Sequence, residues 1–197
     1  MLAIQVVDDE ARTLVWKNVS DPVCGREEVL VDVCAAALNR ADLLQRAGKY
    51  PPPSGASTIL GLEIAGRISM LGDKVHDWEL GDRVCALLPG GGYAERAVVP
   101  AAMLMPIPED WSYEKAASLP ECFLTAFVNI YMEARLQSEE SLLVHGGASG
   151  VGTAAIQLAS ITGNPVYVTA SSLETVSYTH LRAHETEADL VCRLLLE

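Results

Sequence analysis

The chain is short of positive charge: 14 Lys and Arg stand against 26 Asp and Glu, a formal net charge of −12. Neutralising nucleic-acid phosphates requires clustered Lys and Arg, so a nucleic-acid surface is not expected. No apolar run reaches the roughly 18 residues of a membrane span, so none is expected. The opening residues 1–10 lack both a basic segment and a long apolar core. They are also too acidic for a transit peptide, and a cytoplasmic location is the expectation. Cysteine is sparse and scattered (Cys24, Cys34, Cys85, Cys122 and Cys192), with no C-x-x-C pair. That spacing signals neither a disulfide framework nor a zinc knuckle, and most of the thiols read as small buried hydrophobes. Internal repeats and low-complexity tracts are absent too. What is present is a globular composition, 50% hydrophobic over 197 residues, enough for one large domain or two small ones.

The most informative stretch is Leu142-Leu143-Val144-His145-Gly146-Gly147-Ala148-Ser149-Gly150-Val151-Gly152-Thr153-Ala154-Ala155. It reads as an apolar strand, a tight glycine loop and an Ala-rich helix. Gly150-x-Gly152-x-x-Ala155 fits the dinucleotide fingerprint. Gly150 is expected to make the sharp turn out of the strand. Gly152 is expected to let backbone N–H groups approach a pyrophosphate, and Ala155 to let helix and strand pack closely. Glycine loops that serve only to turn the chain are the alternative. The next β-branched run, Val166-Tyr167-Val168-Thr169, falls where the second strand of a βαβ unit belongs. Its end, Ala170-Ser171-Ser172, carries no acid to bind a ribose 2′-hydroxyl. Small hydroxyl residues leave room for a 2′-phosphate, so NADPH is favoured over NADH.

Residues 1–100 read as short strands with Gly/Pro punctuation: 2–7, 13–19, 28–36, 62–71, 82–88 and 93–99. Asn39 caps a short helix that Gly48 stops, and the Pro51-Pro52-Pro53-Ser54-Gly55 segment is a rigid loop. Helical patterns begin at Ser112 and run over 121–135. The expected boundaries are a β-rich barrel-like domain over 1–120 and a partial nucleotide-binding domain over 121–172.

Five motifs, in order and with matching spacing, resemble the zinc-independent quinone oxidoreductases of the medium-chain dehydrogenase/reductase superfamily. They are Ala37-Leu38-Asn39-Arg40-Ala41-Asp42-Leu43, Gly61-Leu62-Glu63-Ile64-Ala65-Gly66, Leu80-Gly81-Asp82-Arg83-Val84, Gly91-Gly92-Tyr93-Ala94-Glu95 and the 144–152 glycine segment. Within that zeta-crystallin-like branch, Tyr50-Pro51-Pro52-Pro53 and Leu87-Leu88-Pro89-Gly90-Gly91-Gly92 are most similar to the tumour-suppressor-inducible quinone oxidoreductases. The resemblance implies an α/β protein: a GroES-like β-rich catalytic domain, then a Rossmann domain (a doubly wound parallel sheet), with a quinone reduced by NADPH in the cleft between them.

Zinc-dependent relatives carry ligands where Asn39 and Leu62 stand and a third near Glu121. Leucine cannot bind zinc and an amide binds it poorly, so no metal site is expected. A quinone accepts hydride readily, and donors aimed at the developing phenolate oxygen suffice. By resemblance Asn39 and Tyr50 lie near the nicotinamide as catalytic residues. Thr125 lies beside its ribose, Ser149, Gly150, Val151 and Gly152 hold the diphosphate, and Ser172 meets the 2′-phosphate. Each has a plainer alternative: a helix cap for Asn39, packing on the proline loop for Tyr50, a helix interior for Thr125. Glu63 is expected to support the cleft, Asp42 to orient the helix, and His145 to bond nearby backbone.

After Ser172 the resemblance stops. Residues 173–197 read as a non-family tail, similar to translated adapter read-through, and the family's later βα units and dimer edge are expected to be missing. His180 and His184 stand at helical spacing there with no third metal ligand in view. A chain so shortened is expected to be inactive or nearly so. Two other functions remain open: an enoyl-thioester reductase on the same scaffold, and a non-catalytic fragment that only binds a partner.

Overall fold

The computed structural model describes residues 1–170 and the backbone of 192–194, as two compact units, Met1–Glu121 and Cys122–Glu197. In the first unit β1 (Leu2–Val6) and β2 (Leu14–Asn18) form an antiparallel hairpin. A five-stranded antiparallel sheet follows in the order β6-β3-β4-β5-β7. Its strands are β3 (Glu28–Ala36), β4 (Glu63–Leu71), β5 (Arg83–Leu87), β6 (Arg96–Pro100) and β7 (Leu104–Pro106).

The period-two alternation of Val29, Val31 and Val33 puts these side chains on one face of β3. There they meet Ile64, Ile68, Val84 and Val99 in the main core. Gly66 allows β3 and β4 to close: a Cβ there would come within 2.1 Å of the Asp32 carbonyl. The strand expected over 93–99 begins only at Arg96. Residues 93–95 instead pair with β1, with Ile4 N–H donating to the Tyr93 carbonyl at 2.8 Å and Glu95 N–H to that of Leu2 at 3.0 Å. β7 was not foreseen, its three residues being too few to show a period. Helix α1 (Arg40–Arg46) follows β3. Helix α2 (Tyr113–Ala117) is capped by Ser112, whose Oγ accepts from Lys115 N–H at 3.2 Å.

Helix α3 (Pro120–Phe127) begins in the last two residues of the first unit and continues as the start of the second. The continuous helix expected over 121–135 is not continuous: residues Val128–Glu133 widen into a π-helical turn. The strand–loop–helix–strand reading is realised as β8 (Leu142–His145), α4 (Gly150–Ile161) and β9 (Val166–Thr169), with β8 and β9 parallel. A third strand, β10 (Cys192–Leu194), pairs antiparallel with β9. The Ala-rich face of α4 lies in two small cores, Ala154 and Ala155 with Ala126 and Ile130, and Ile156 and Ala159 with Val166 and Val168. No helix among the described residues is long and apolar enough to cross a membrane.

Candidate active site

The first unit gathers its polar residues at the point where β3 gives way to α1. Asn39 occupies the N-cap with extended backbone, φ −120° and ψ 153°. Its amide Nδ2 donates to Glu63 Oε1 at 2.8 Å, 24 residues along the chain. The cap is closed from inside the helix, by Asp42 Oδ2 accepting from Asn39 N–H at 2.8 Å. The plain-cap alternative for Asn39 therefore leaves out what its amide nitrogen does.

Two carboxylates are buried here. Glu63, at 1% exposure, accepts from Asn39 with one oxygen and from Glu121 N–H with the other, at 2.8 Å. Burial pushes its carboxyl above the usual range, against the pull of those two donors, and the nearby Asp42 adds to the rise. Asp42, at 4%, also accepts from Gly61 N–H at 3.2 Å and from the Tyr93 hydroxyl at 2.7 Å. Burial and that bond to Asp42 hold the Tyr93 phenol far above its ordinary range. Glu121 is raised as well, by burial and then by Glu63 and Asp42. The Cys85 thiol is pushed up by burial and then by Glu63.

Asn39, Asp42 and Tyr93 line a cavity of about 380 Å³ whose other walls include Leu14, Leu38, Leu43 and Leu60. The result is an open, mostly apolar pocket, with Leu38 and Leu43 exposed at its rim and a few convergent polar groups, a make-up shared by small-molecule sites. Tyr50, expected beside Asn39, is half exposed and is not among the residues lining this cavity. α1 ends at Arg46 and Gly48 turns the chain at φ 69° before Tyr50 is reached. Tyr93 was missed as a pocket residue, although an aromatic directly after the glycine pair of Gly91-Gly92-Tyr93 was a usable signal. Among the described residues no His, Cys, Asp and Glu side chains gather as a metal-binding group of three.

In the second unit Ser149 caps α4, its Oγ accepting from Gly152 N–H at 3.0 Å. The helix starts at Gly150, so Gly150 is not the turn out of the strand. Gly146, at φ 69°, makes that turn. Gly150 is small for another reason, since a Cβ would come within 2.7 Å of Cys122 Sγ. Gly152 packs against the loop backbone, and a Cβ would reach the Gly146 carbonyl at 2.4 Å. First-turn amides such as those of Gly150 and Val151 have no acceptor within a helix, and the helix dipole favours an anion there. With the Ser149 hydroxyl hydrogen still available to donate, this cradle fits a diphosphate.

Thr125 is half-buried within α3, and its carbonyl accepts from Asn129 Nδ2 at 2.8 Å. His145 Nδ1 lies 3.1 Å from Thr169 Oγ1, a side-chain partner where backbone was expected. Ser172 lies outside the described residues, as do His180 and His184.

Residues 25–109 match the family profile of the alcohol dehydrogenase GroES-like domain. The CurK enoyl reductase superposes with a TM-score of 0.81 at 30% identity, covering 90% of this chain and 56% of that one. In fold the chain resembles the medium-chain dehydrogenase/reductase superfamily, a GroES-like domain followed by a partial α/β region. The quinone oxidoreductase of Thermus thermophilus, solved also in complex with NADPH, gives a TM-score of 0.75 at 35% identity, covering 89% of this chain and 55% of that one. In sequence, the polyketide synthase GfsB of Streptomyces halstedii is 38% identical over 163 residues, 83% of this chain and 3% of that protein. The chain thus spans little more than half of the solved structures it matches and far less of that curated relative.

Proposed function

We propose that the chain carries the substrate pocket and diphosphate cradle of a zinc-independent, NADPH-dependent quinone reductase of the zeta-crystallin-like branch. The observation that carries this reading is the Asn39 amide, fixed by a buried carboxylate at the wall of a leucine-lined cavity. A quinone is flat and apolar, with carbonyl oxygens that need a donor as they become phenolate. Leucine walls meet the ring, and an amide N–H meets the oxygen. Bound reduced nicotinamide supplies the hydride. Ser149, Gly150, Val151 and Gly152 would bind its diphosphate, Thr125 would lie at its ribose, and Ser172 at its 2′-phosphate. A cytoplasmic location and a small-molecule partner, with neither nucleic acid nor membrane, belong to the same proposal.

A second reading, an enoyl-thioester reductase, draws on the likeness to the CurK enoyl reductase. Arg40 and Arg46 at the cavity wall are cations that could meet a phosphopantetheine phosphate. Arg46, however, already donates to the Arg12 carbonyl at 2.8 Å and the Ala11 carbonyl at 3.1 Å. Titration with phenanthrenequinone and, separately, crotonyl-pantetheine distinguishes the two. Quenching of tryptophan fluorescence by the quinone that survives Arg40→Ala is the expected result. Binding of the thioester alone, abolished by Arg40→Ala, contradicts the proposal.

A further inference from the structure

An asparagine amide is nearly symmetric in shape but opposite in chemistry at its two ends. At the wall of a pocket that takes a carbonyl oxygen, the end that faces inward decides between attraction and repulsion. Asn39 and its surroundings settle that choice. In its ionised form Glu63 offers acceptors only, and each oxygen is engaged: Oε1 by Asn39 Nδ2 at 2.8 Å and Oε2 by Glu121 N–H at 2.8 Å. Held at both oxygens and buried in the protein, the carboxylate has little freedom to rotate. The amide nitrogen must face it, because the amide oxygen in that place would meet a like charge. Asp42 reinforces the choice. Its carboxylate holds Asn39 N–H, placing a second acceptor-only group beside the same residue. One hydrogen of Nδ2 is thereby committed to Glu63 and the other remains.

We propose that Glu63 is the positioning residue of this pocket, fixing the Asn39 amide so that its second N–H is the donor presented to substrate oxygen. Glu63 does not touch substrate; it acts through Asn39. The inference rests on the proposed quinone site for its consequence, but the orientation itself can be measured without any quinone.

Glu63→Gln keeps the shape and halves the acceptors. A glutamine whose oxygen accepts from Glu121 N–H turns its nitrogen toward Asn39, so the Asn39 amide either meets a donor or flips to accept with its oxygen and loses the orientation that Glu63 imposes. The double variant E63Q/N39D exchanges the roles. The glutamine nitrogen donates to the new carboxylate and its oxygen accepts from Glu121 N–H, so both bonds return, while the pocket now sees an acceptor. Three measurements are made on the full chain: the melting midpoint, the side-chain ¹⁵N–¹H signals of Asn39, and the affinity for phenanthrenequinone.

In Glu63→Gln the Asn39 amide signals move, the midpoint falls, and quinone affinity drops on the order of tenfold, the worth of one hydrogen bond. In E63Q/N39D the midpoint recovers while the affinity does not. Recovery of the affinity along with the midpoint would mean that the pocket needs no donor at position 39, and that result overturns the proposal. So does an unmoved Asn39 amide signal in Glu63→Gln. Should the unaltered protein bind no quinone, the quinone reading fails by itself, and the amide signals still decide whether Glu63 orients Asn39.

Discussion

The two units solve the problem of building a ligand site with opposite materials. The first uses buried charge: Asp42 and Glu63 sit almost fully inside the protein, and each is held by donors from distant segments. The second uses the absence of side chains: Gly146, Gly147, Gly150 and Gly152 let loop, strand and helix approach closely, and at the last three a Cβ would collide with its neighbours. A hydrogen-bonded site is specific about chemistry, because each buried acceptor demands its donor. A close-packed glycine site is specific about space and leaves its backbone amides for a ligand. The proposed quinone pocket, which recognises one oxygen, draws on the first kind of specificity, and the proposed diphosphate cradle draws on the second.

The sharpest way to break this contrast is to remove a carboxylate. Asp42→Ala strands Asn39 N–H and Gly61 N–H and leaves the Tyr93 hydroxyl only the Ala37 carbonyl, at 3.1 Å. A loss of ~3 kcal/mol or more is expected. Urea unfolding followed by tryptophan fluorescence reads it directly, since Trp16, Trp78 and Trp111 all lie in the first unit. Next in size is Gly152→Ala. The added methyl meets loop backbone at Gly146 and Gly147 rather than a yielding side chain. An overpacking cost of ~2 kcal/mol should appear as faster hydrogen exchange along α4. Ser149→Ala removes only the cap on Gly152 N–H, about 1 kcal/mol, read by the same exchange measurement.

The smallest expected effect concerns pH. Glu63 and Glu121 have raised carboxyl pKa values, so between the ordinary and the raised values the folded state holds protons that the unfolded chain has released. Their contribution to stability is therefore full below the ordinary carboxylate range and falls as pH rises through the raised values. Glu63→Gln removes one of these groups and should flatten the melting midpoint against pH on the acid side of neutrality. An unchanged slope would mean that burial does not perturb this carboxyl.

What was legible in the sequence was local. Alternating valines gave β3, Asn39 and Gly48 bracketed α1, and the small-residue run before Ala154 gave the βαβ turn. Even there the labour was misdivided among glycines. Gly146 and Gly150 are equally permissive on paper, and only the start of α4 at Gly150 reveals which one turns. The candidate site was legible in its members but not in its bonds. Asn39, Asp42 and Glu63 stood out by motif, yet the links from Tyr93 to Asp42 and from Glu121 to Glu63 join residues 51 and 58 apart in sequence. No periodicity records such distant pairing. The π-helical turn of residues Val128–Glu133 was equally invisible, because its apolar spacing resembles that of an ordinary helix.

The proposed site seats a quinone in the leucine-lined cavity with one oxygen on the Asn39 amide. Its most direct test is the ¹⁵N–¹H spectrum of the protein titrated with phenanthrenequinone. Saturable shifts are expected in the Asn39 side-chain amide and in the backbone amides of Leu38, Leu43 and Leu60. Saturable shifts that bypass Asn39, or none at all while crotonyl-pantetheine moves the same signals, would contradict it.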